Sequence, residues 1–199
     1  MRDGESRGDF WEAGEAKANR FMKFLKMPRP DAKVVDYGCG SLRLGAHFMR
    51  DLSSGSYMGL DVAEGLLNVG KELVGDEIVS DKKPTLRTIS PDSIDEAMKF
   101  SADGVFSSAV CVHVHPDELA FYFDSLKKIA SKPGCRLVFD ATLAKESVRY
   151  ANRSWAWEED YLMSQLEGLD LIKTHQGKWR ERNGINMSIT TFELQRPMK

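Results

Sequence analysis

The chain has 199 residues, of which 42% are apolar and 29% charged, as is typical of one globular domain with a full hydrophobic core. A formal net charge of −2 gives no general attraction to phosphate backbones and argues against a nucleic-acid acceptor. No apolar run approaches the roughly 20 residues that span a bilayer. Three scattered cysteines argue against a disulfide framework and a zinc site, and the N-terminus has no apolar signal core, so we expect a cytoplasmic protein.

The first half of the chain is predicted to alternate between helices and short apolar strands. Apolar residues three and four positions apart predict a helix over 10–25, which ends at the prolines of Met27–Pro30. We assign residues 1–30 to an N-terminal helical extension and 31–199 to a core domain. Strands are predicted near 33–37, 57–61, 85–89 and 103–110, with helices over 64–74 and 92–99 and a polar connection before Pro84.

The second half continues the alternation and ends in a pair of strands. Its predicted elements are a long amphipathic helix to about Ala130, a strand over 135–140, an irregular segment over 141–154, a helix over 157–167, and strands over 169–178 and 185–195 joined by a polar hairpin. Strands that alternate with helices predict a parallel sheet covered by helices.

A glycine turn follows the first predicted strand, in the segment V-V-D-Y-G-C-G over 34–40. Gly38 and Gly40 remove the Cβ atoms that would hold a ligand away from the backbone, and the next helix offers free N–H groups. Twenty-one residues past Gly40, Asp61 closes a second strand, where a carboxylate suits the hydroxyls of a ribose. Together they predict a nucleoside-bearing cofactor, although an ordinary strand-to-helix turn and a helix N-cap at Asp61 are the alternatives.

A dinucleotide-dependent enzyme would begin with the same elements. Its G-x-G-x-x-G pattern needs a small residue where this chain has Arg43, and no Tyr-x-x-x-Lys pair is present for short-chain dehydrogenase chemistry. Arg43 is instead predicted at the start of the helix after the turn, where its guanidinium could pair with a carboxylate of the cofactor. A solvated arginine in the first helical turn is the alternative.

The segments V-V-D-Y-G-C-G-S and Y-M-G-L-D resemble the class I, Rossmann-like S-adenosylmethionine-dependent methyltransferases, and the resemblance runs from about Phe10 to Arg196. It implies a three-layer α/β sandwich, a mostly parallel seven-stranded sheet with an antiparallel last strand, and an N-terminal helix that is a lid candidate. The alternative is that this helix only packs on the sheet. It also implies S-adenosyl-L-methionine as cofactor. The residues predicted at the cofactor are Asp36, Gly38, Gly40, Arg43, Asp61, Val62, Ser107 and Ser108. The family often has a further glycine where this chain has Leu42.

The loop after the fourth strand lacks three signatures of this class. It has no Asn/Asp-Pro-Pro-aromatic segment, no Pro-Cys nucleophile and no carboxylate that could hold magnesium, which favours a metal-independent enzyme acting on a small molecule, with oxygen as the favoured acceptor atom. The segment V-C-V-H-V-H-P-D-E-L resembles a V-x-x-H-L/V segment of such enzymes. His113 and His115 are therefore candidate catalytic bases, since an imidazole titrates near neutral pH. A purely structural role in the loop is the alternative.

The acceptor is predicted to bind between the N-terminal helix and residues 141–161. Trp11, Arg149 and Trp155 are the candidate contacts, because aromatic and cationic side chains suit a small planar or sugar-like molecule. Core packing is favoured instead for Trp157 and Tyr161. The predicted function is methyl transfer to a small-molecule acceptor. Methylation of protein or RNA and a catalytically silent cofactor-binding subunit are the alternatives, and the sequence indicates no particular oligomeric state.

Overall fold

The structure of the chain is a computed structural model that describes residues 7–27 and 29–198. The helices are α1 (Arg7–Phe24), α2 (Gly45–Asp51), α3 (Glu64–Val74), α4 (Asp76–Lys82), α5 (Pro91–Phe100), α6 (Leu119–Ile129) and α7 (Glu159–Ser164). The strands are β1 (Val34–Tyr37), β2 (Tyr57–Asp61), β3 (Thr85–Thr88), β4 (Gly104–Ser107), β5 (Arg136–Leu143), β6 (Val148–Ala151), β7 (Ser154–Ala156), β8 (Asp170–Gln176), β9 (Arg180–Arg182) and β10 (Ile185–Gln195). None of the described helices is long and apolar enough to cross a membrane.

Seven strands form the central sheet in the order β3-β2-β1-β4-β5-β10-β8. The pairs from β3 to β5 are parallel, whereas β10 runs antiparallel to both of its neighbours. The predicted mostly parallel sheet with an antiparallel last strand is therefore confirmed. Two short additions were not predicted: β9 pairs with the start of β10, and β6 and β7 form a separate hairpin.

Helices cover both faces of the sheet. Successive strand residues point to opposite sides, and both sides carry apolar side chains that the helices bury. Val35 of β1 belongs to the apolar cluster packed against α5, α6 and α7, and its neighbour Val34 belongs to the cluster packed against α1, α2 and α3. In the second cluster, Ala18 and Phe21 of α1 are fully buried. The N-terminal helix is thus part of the core, and the three layers predicted from the sequence are present.

The carboxyl ends of the parallel strands meet at one edge of the sheet. Tyr37, the last residue of β1, lies beside Leu60 of β2, and Ser107, the last residue of β4, lies beside Phe139 of β5. The loops that follow these strands are consequently brought together. In open α/β sheets this edge is where ligands bind.

Four predicted elements differ from the structure. The strand predicted over 103–110 ends at Ser107, so residues 108–110 belong to the loop that follows it. The connection over 75–84 contains α4, and the segment over 141–154 is not irregular, because it completes β5 and forms β6 and β7. The last helix is shorter than the predicted 157–167, since the Trp157 backbone N–H donates to the Thr142 carbonyl at 2.8 Å and holds that residue beside β5.

Candidate active site

Asp61 joins the glycine turn to the loop that follows β2. One carboxylate oxygen accepts the Gly40 N–H at 2.7 Å and the other accepts the Ala63 N–H at 2.9 Å. Gly38 has a φ of +80°, and a Cβ placed on it would lie 2.2 Å from a methyl carbon of Val110, in the loop after β4. Glycine is therefore required here both by the backbone and by the close approach of Val110.

Leu42 occupies the position where the family often has a further glycine. Its φ is +62°, in the left-handed region that is energetically unfavourable for leucine, and its side chain is completely buried. A Cβ added to Gly70 of α3 would lie only 2.9 Å from the Leu42 side chain. At the position where the family often has a glycine, this chain therefore has a leucine that packs closely against Gly70 of α3.

A cavity of about 620 Å³, here the central cavity, lies at the carboxyl ends of β1, β2 and β4. It brings together four of the predicted cofactor residues and one predicted catalytic residue. Its lining residues are Tyr37, Gly38, Asp61, Val62, Leu66, Ile89, Ser108, Ala109, Val110, His113, Val114, Asp117, Glu118, Phe121 and Tyr122.

Asp36 and Ser107 lie behind the wall of this cavity rather than in its lining. The Asp36 carboxyl is buried and accepts the Tyr57 hydroxyl at 2.8 Å. Burial raises the pKa of Asp36 to about 7, the Tyr57 hydrogen bond lowers it in part, and the charge of Asp61 adds to the rise. The Ser107 hydroxyl accepts the Tyr122 hydroxyl at 2.9 Å. Both residues therefore support the wall from within the protein.

Arg43 is not in a helix, which corrects the position predicted for it. The residue is exposed in the turn before α2, which begins at Gly45. A Cβ on Gly14 of α1 would lie 2.3 Å from the Arg43 carbonyl oxygen. The N-terminal helix therefore packs directly on the backbone of the glycine turn.

A second cavity of about 250 Å³, here the hairpin cavity, adjoins the central one. Four residues that the sequence analysis predicted separately lie together in it. Its lining residues are His113, His115, Arg149, Asn152, Arg153 and Trp155. Because His113 lines both cavities, the histidine stands at their boundary.

The two histidines are held in different ways. Nδ1 of His113 lies 2.8 Å from the Arg153 carbonyl oxygen, so this nitrogen carries the proton and Nε2 of the neutral ring has a free lone pair. Nδ1 of His115 instead accepts the Asp117 N–H at 3.3 Å, which leaves the proton of its neutral ring on Nε2. Only His113 therefore offers a proton acceptor at Nε2.

Trp11 is not among the residues that line either cavity, so the structure does not bring it to the predicted acceptor site. Its ring contacts the edge of His47 at 5.3 Å between centroids, and the Arg50 guanidinium lies 4.3 Å above it, both on α2. Trp157 is buried and donates its indole N–H to the Cys111 carbonyl at 3.1 Å, which confirms the core role predicted for it. Tyr161 is 41% exposed beside Trp157, so the core packing predicted for Tyr161 is wrong.

Asp140 is a site residue that the sequence analysis missed. One of its carboxylate oxygens accepts the N–H of Ala109, a cavity residue, at 2.6 Å, and the other lies 2.7 Å from Nζ of Lys17 on α1. An acidic residue within the apolar run of β5 is a signal that could have identified it, since buried carboxylates need partners. Lys17 has no comparable signal among the many charged residues of its helix.

The sequence matches no protein-family model and no functionally curated protein. Among the solved structures that the chain resembles is the cyclase SpnF, with a TM-score of 0.73 and 11% identity, covering 94% of this chain and 83% of that one. The geranyl diphosphate C-methyltransferase from Streptomyces coelicolor A3(2), in complex with Mg²⁺, geranyl diphosphate and S-adenosyl-L-homocysteine, gives a TM-score of 0.69 and 13% identity over 91% of this chain and 78% of that chain. The magnesium protoporphyrin IX methyltransferase from Synechocystis PCC 6803 with bound SAH gives a TM-score of 0.62 and 15% identity, covering 94% of this chain and 83% of that chain.

These likenesses define the fold. The chain has the Rossmann-like α/β fold of the class I S-adenosylmethionine-dependent methyltransferases, as its glycine turn and second-strand carboxylate predicted. The same fold occurs in a protein named as a cyclase. The fold alone therefore does not determine the activity of this chain, which depends on the residues of its own site.

Proposed function

We propose that the protein is an S-adenosylmethionine-dependent methyltransferase acting on a small-molecule acceptor, with methyl transfer where the central and hairpin cavities meet. The observation that carries the proposal is that His113 lines both cavities. The central cavity is lined by Gly38 of the glycine turn and by the Asp61 carboxylate. The hairpin cavity is lined by cationic and aromatic side chains. The methyltransferases from Streptomyces and Synechocystis hold S-adenosyl-L-homocysteine on this fold, which supports the same cofactor here.

The residues of the central cavity fit such a cofactor. Its volume of about 620 Å³ lies within the range of roughly 300–1,000 Å³ that is usual for ligand sites. Asp61 uses its two oxygens on backbone N–H groups, but a carboxylate has about four lone-pair sites, so acceptor capacity remains for ribose hydroxyls. Gly40 is not among the lining residues of this cavity, but a Cβ added to it would meet nothing within 4 Å, so the space in front of its backbone is open. Ile89 and Phe121 provide apolar walls for a planar base.

Bound S-adenosylmethionine would supply a methyl group on a positively charged sulfur, and the sulfur–methyl bond would break with its electron pair staying on the sulfur. The protein then has to align the acceptor and take up a proton. Nε2 of His113 is available for that proton because Nδ1 donates to Arg153. We therefore propose a hydroxyl acceptor, whose oxygen binds the methyl carbon as its proton passes to Nε2.

We also propose that the reaction needs no metal. Ser107 and Ser108 stand at the end of β4, where the catechol-type enzymes of this class place a metal-binding carboxylate. The cofactor contacts that we propose are Gly38, Gly40, Asp61, Val62 and Ser108. Asp36 and Ser107 support them from behind the cavity wall.

A second candidate is a cofactor-binding protein that transfers no methyl group. The likeness to SpnF supports this hypothesis, because SpnF has the same fold and is named as a cyclase rather than as a methyltransferase. It predicts binding of S-adenosyl-L-homocysteine without any methylated product. The methylation of protein or RNA, in contrast, predicts labelled product of high mass.

The test is a transfer assay with methyl-labelled S-adenosylmethionine against bulk RNA, DNA, protein and a low-mass metabolite extract, at two salt concentrations. We expect label in the low-mass fraction alone, unchanged by EDTA. The matched control is the Asp61→Ala variant, which should lose transfer. Transfer confined to polymers, with a steep loss at higher salt, would refute the small-molecule acceptor, and failure to bind S-adenosyl-L-homocysteine would refute the cofactor.

A further inference from the structure

The hairpin cavity is built from one face of the β6–β7 hairpin. Arg149 and Trp155 are paired across the two strands, so their side chains share a face. The alternate residues Val148, Tyr150 and Ala156 pack in an apolar cluster with the start of β10. The hairpin therefore turns an apolar face to the protein and a cationic and aromatic face to the two histidines.

The lining of this cavity contains positive charge and no described acidic residue. Arg149 and Arg153 are charged at every physiological pH, and the remaining lining residues are two histidines, one asparagine and one tryptophan. The carboxylate that contacts the lining is that of Asp117, which lies 3.4 Å from Nδ1 of His115 and is 88% exposed. Solvent screens this exposed carboxylate, and the two arginines leave the lining with a net positive charge.

The two arginines have different constraints. The Arg149 guanidinium donates to the Ala151 carbonyl at 3.3 Å and to the Asn152 side-chain oxygen at 3.2 Å, and it also contacts the Asn152 carbonyl. This guanidinium is thereby fixed over the hairpin turn. Arg153 is exposed, and its carbonyl oxygen holds His113. A fixed arginine and an exposed one thus line the same cavity as the proposed proton acceptor.

We propose that the acceptor is a small planar molecule that carries a carboxylate or phosphate group, bound by Arg149 and Arg153 with its ring against Trp155. This inference rests on the proposed function. Guanidinium groups bind such anions through paired, charge-assisted hydrogen bonds. The cavity volume of about 250 Å³ is below the roughly 300 Å³ at which ligand sites usually begin. It therefore suits one substituted ring, with the reacting hydroxyl at His113.

The experiment compares matched anionic and neutral probes on the 199-residue chain saturated with S-adenosyl-L-homocysteine. The pairs are 4-hydroxybenzoate against 4-hydroxybenzamide, and 4-hydroxyphenyl phosphate against hydroquinone, with dissociation constants measured by calorimetry or ligand-observed NMR. We expect the anionic member of at least one pair to bind about tenfold more tightly, the scale of one hydrogen bond to a charged group. The carboxylate and phosphate arms identify which anion the site prefers.

Two variants locate the effect. Arg153→Met should reduce the preference for the anion to below about threefold, and Arg153→Lys should retain part of it, since the charge remains without the planar fork. Arg180→Met is the matched control, because Arg180 is an exposed arginine of β9 that lines a different cavity with Lys178 and Arg182. Thermal unfolding of each variant verifies that it is folded.

The outcomes separate this inference from the proposed function. If S-adenosyl-L-homocysteine does not bind, the proposed function fails. If it binds but every neutral probe binds as well as its anionic partner, or no probe binds at millimolar concentration, the anionic acceptor is refuted while the proposed function stands. A loss of preference in Arg180→Met rather than Arg153→Met would place the anion outside the hairpin cavity and also refute the inference.

Discussion

Lys17 of the N-terminal helix lies 2.7 Å from the carboxylate of Asp140 on β5. The other oxygen of this carboxylate accepts the N–H of Ala109, a residue of the central-cavity wall with a φ of +58°. The Asp140 side chain is only 6% exposed, so its charge depends on these two partners. The contact couples the position of α1 to the shape of the proposed cofactor site.

Removing the Lys17 charge should therefore weaken both the fold and the cavity. For Lys17→Met we expect a loss of roughly 1–3 kcal/mol in the free energy of unfolding, at the low end of the cost of stranding a buried charge because Lys17 is itself 29% exposed. Urea unfolding measures this loss. Lys23→Met is the control, since Lys23 is an exposed lysine of the same helix, and equal losses in the two variants would contradict the role given to the Lys17–Asp140 pair.

The two glycines of the turn should respond differently to alanine. In Gly38→Ala the new Cβ would overlap Val110 at 2.2 Å and the φ of +80° would be strained, so we expect a loss of roughly 2–4 kcal/mol in unfolding free energy. In Gly40→Ala the new Cβ would meet open space. We therefore expect only the cost of the positive φ, roughly 1–2 kcal/mol in unfolding free energy. Its methyl group would instead occupy the open space in front of the turn, where we propose that the cofactor contacts the backbone.

Calorimetry with S-adenosyl-L-homocysteine completes this comparison. We expect folded Gly40→Ala protein to bind the ligand at least about tenfold more weakly, which is a loss of roughly 1.4 kcal/mol. Unchanged affinity in Gly40→Ala would place the cofactor away from the turn.

The Asp61 carboxylate gives a third test of the cofactor site. Asp61→Ala removes the acceptor of the Gly40 and Ala63 N–H groups together with the proposed acceptor of the ribose hydroxyls. We expect binding of S-adenosyl-L-homocysteine to weaken by roughly 1.5–3 kcal/mol, the scale for hydrogen bonds to a charged group. Asp61→Asn is the matched variant, because it keeps one oxygen and should lose less. Calorimetric affinity equal to that of the unmodified protein in Asp61→Ala would remove this residue from the site.

The features predicted well from the sequence are those that depend on residues close together in the chain. Gly40 and Asp61 belong to one strand–helix–strand unit, whose geometry places the turn beside the end of the second strand. Their spacing alone was therefore sufficient to predict that they share a site. The mostly parallel sheet with an antiparallel last strand followed from the resemblance to a known fold.

The features missed depend on contacts between distant segments or on very short elements. β6 and β7 have four and three residues, too few for a clear alternation of apolar and polar side chains, so the hairpin was predicted as irregular. The Lys17–Asp140 contact joins residues that are far apart in the chain, and nothing local distinguishes Lys17 from other helix lysines. Trp11 was placed at the acceptor by its residue type, whereas packing against His47 and Arg50 determines its position.

Asp36 should make stability depend on pH. Its pKa is about 7 in the folded protein against a reference value of 3.8, so between these values the folded state retains a proton that the unfolded state has released. The contribution of Asp36 to the unfolding free energy therefore decreases as pH rises from about 4 to about 7 and is constant above that range. The total change is of the order of 4 kcal/mol.

Asp36→Asn tests this dependence because asparagine keeps an oxygen that can accept the Tyr57 hydroxyl. The difference in unfolding free energy between the variant and the unmodified protein should grow in favour of the variant from pH 4 to pH 7. In Tyr57→Phe, which removes the bond that lowers the Asp36 pKa, the window should extend to higher pH. Urea unfolding at each pH measures the difference in unfolding free energy between Asp36→Asn and the unmodified protein. If that difference does not change with pH, the burial of an ionisable carboxyl at this position is contradicted.

The last prediction concerns the residue shared by the two cavities. His113→Ala should lower turnover by roughly 10²–10⁴-fold, the usual contribution of a general base, but this change also removes the hydrogen bond that holds the Arg153 carbonyl. His113→Asn separates the two effects. Its side-chain N–H can replace the Nδ1 donor, so the hairpin stays in place, while the Nε2 proton acceptor is absent.

We expect His113→Asn to bind S-adenosyl-L-homocysteine normally and to show the same loss of turnover as His113→Ala. His115→Ala is the matched control, since the structure leaves the proton of the neutral His115 ring on Nε2. It should retain turnover within about tenfold, well above the loss expected for a general base. Single-turnover rates with a saturating acceptor make the comparison. If His113→Asn turns over as fast as the unmodified protein, the histidine serves only to tie the loop after β4 to the hairpin, and the proton leaves by another route.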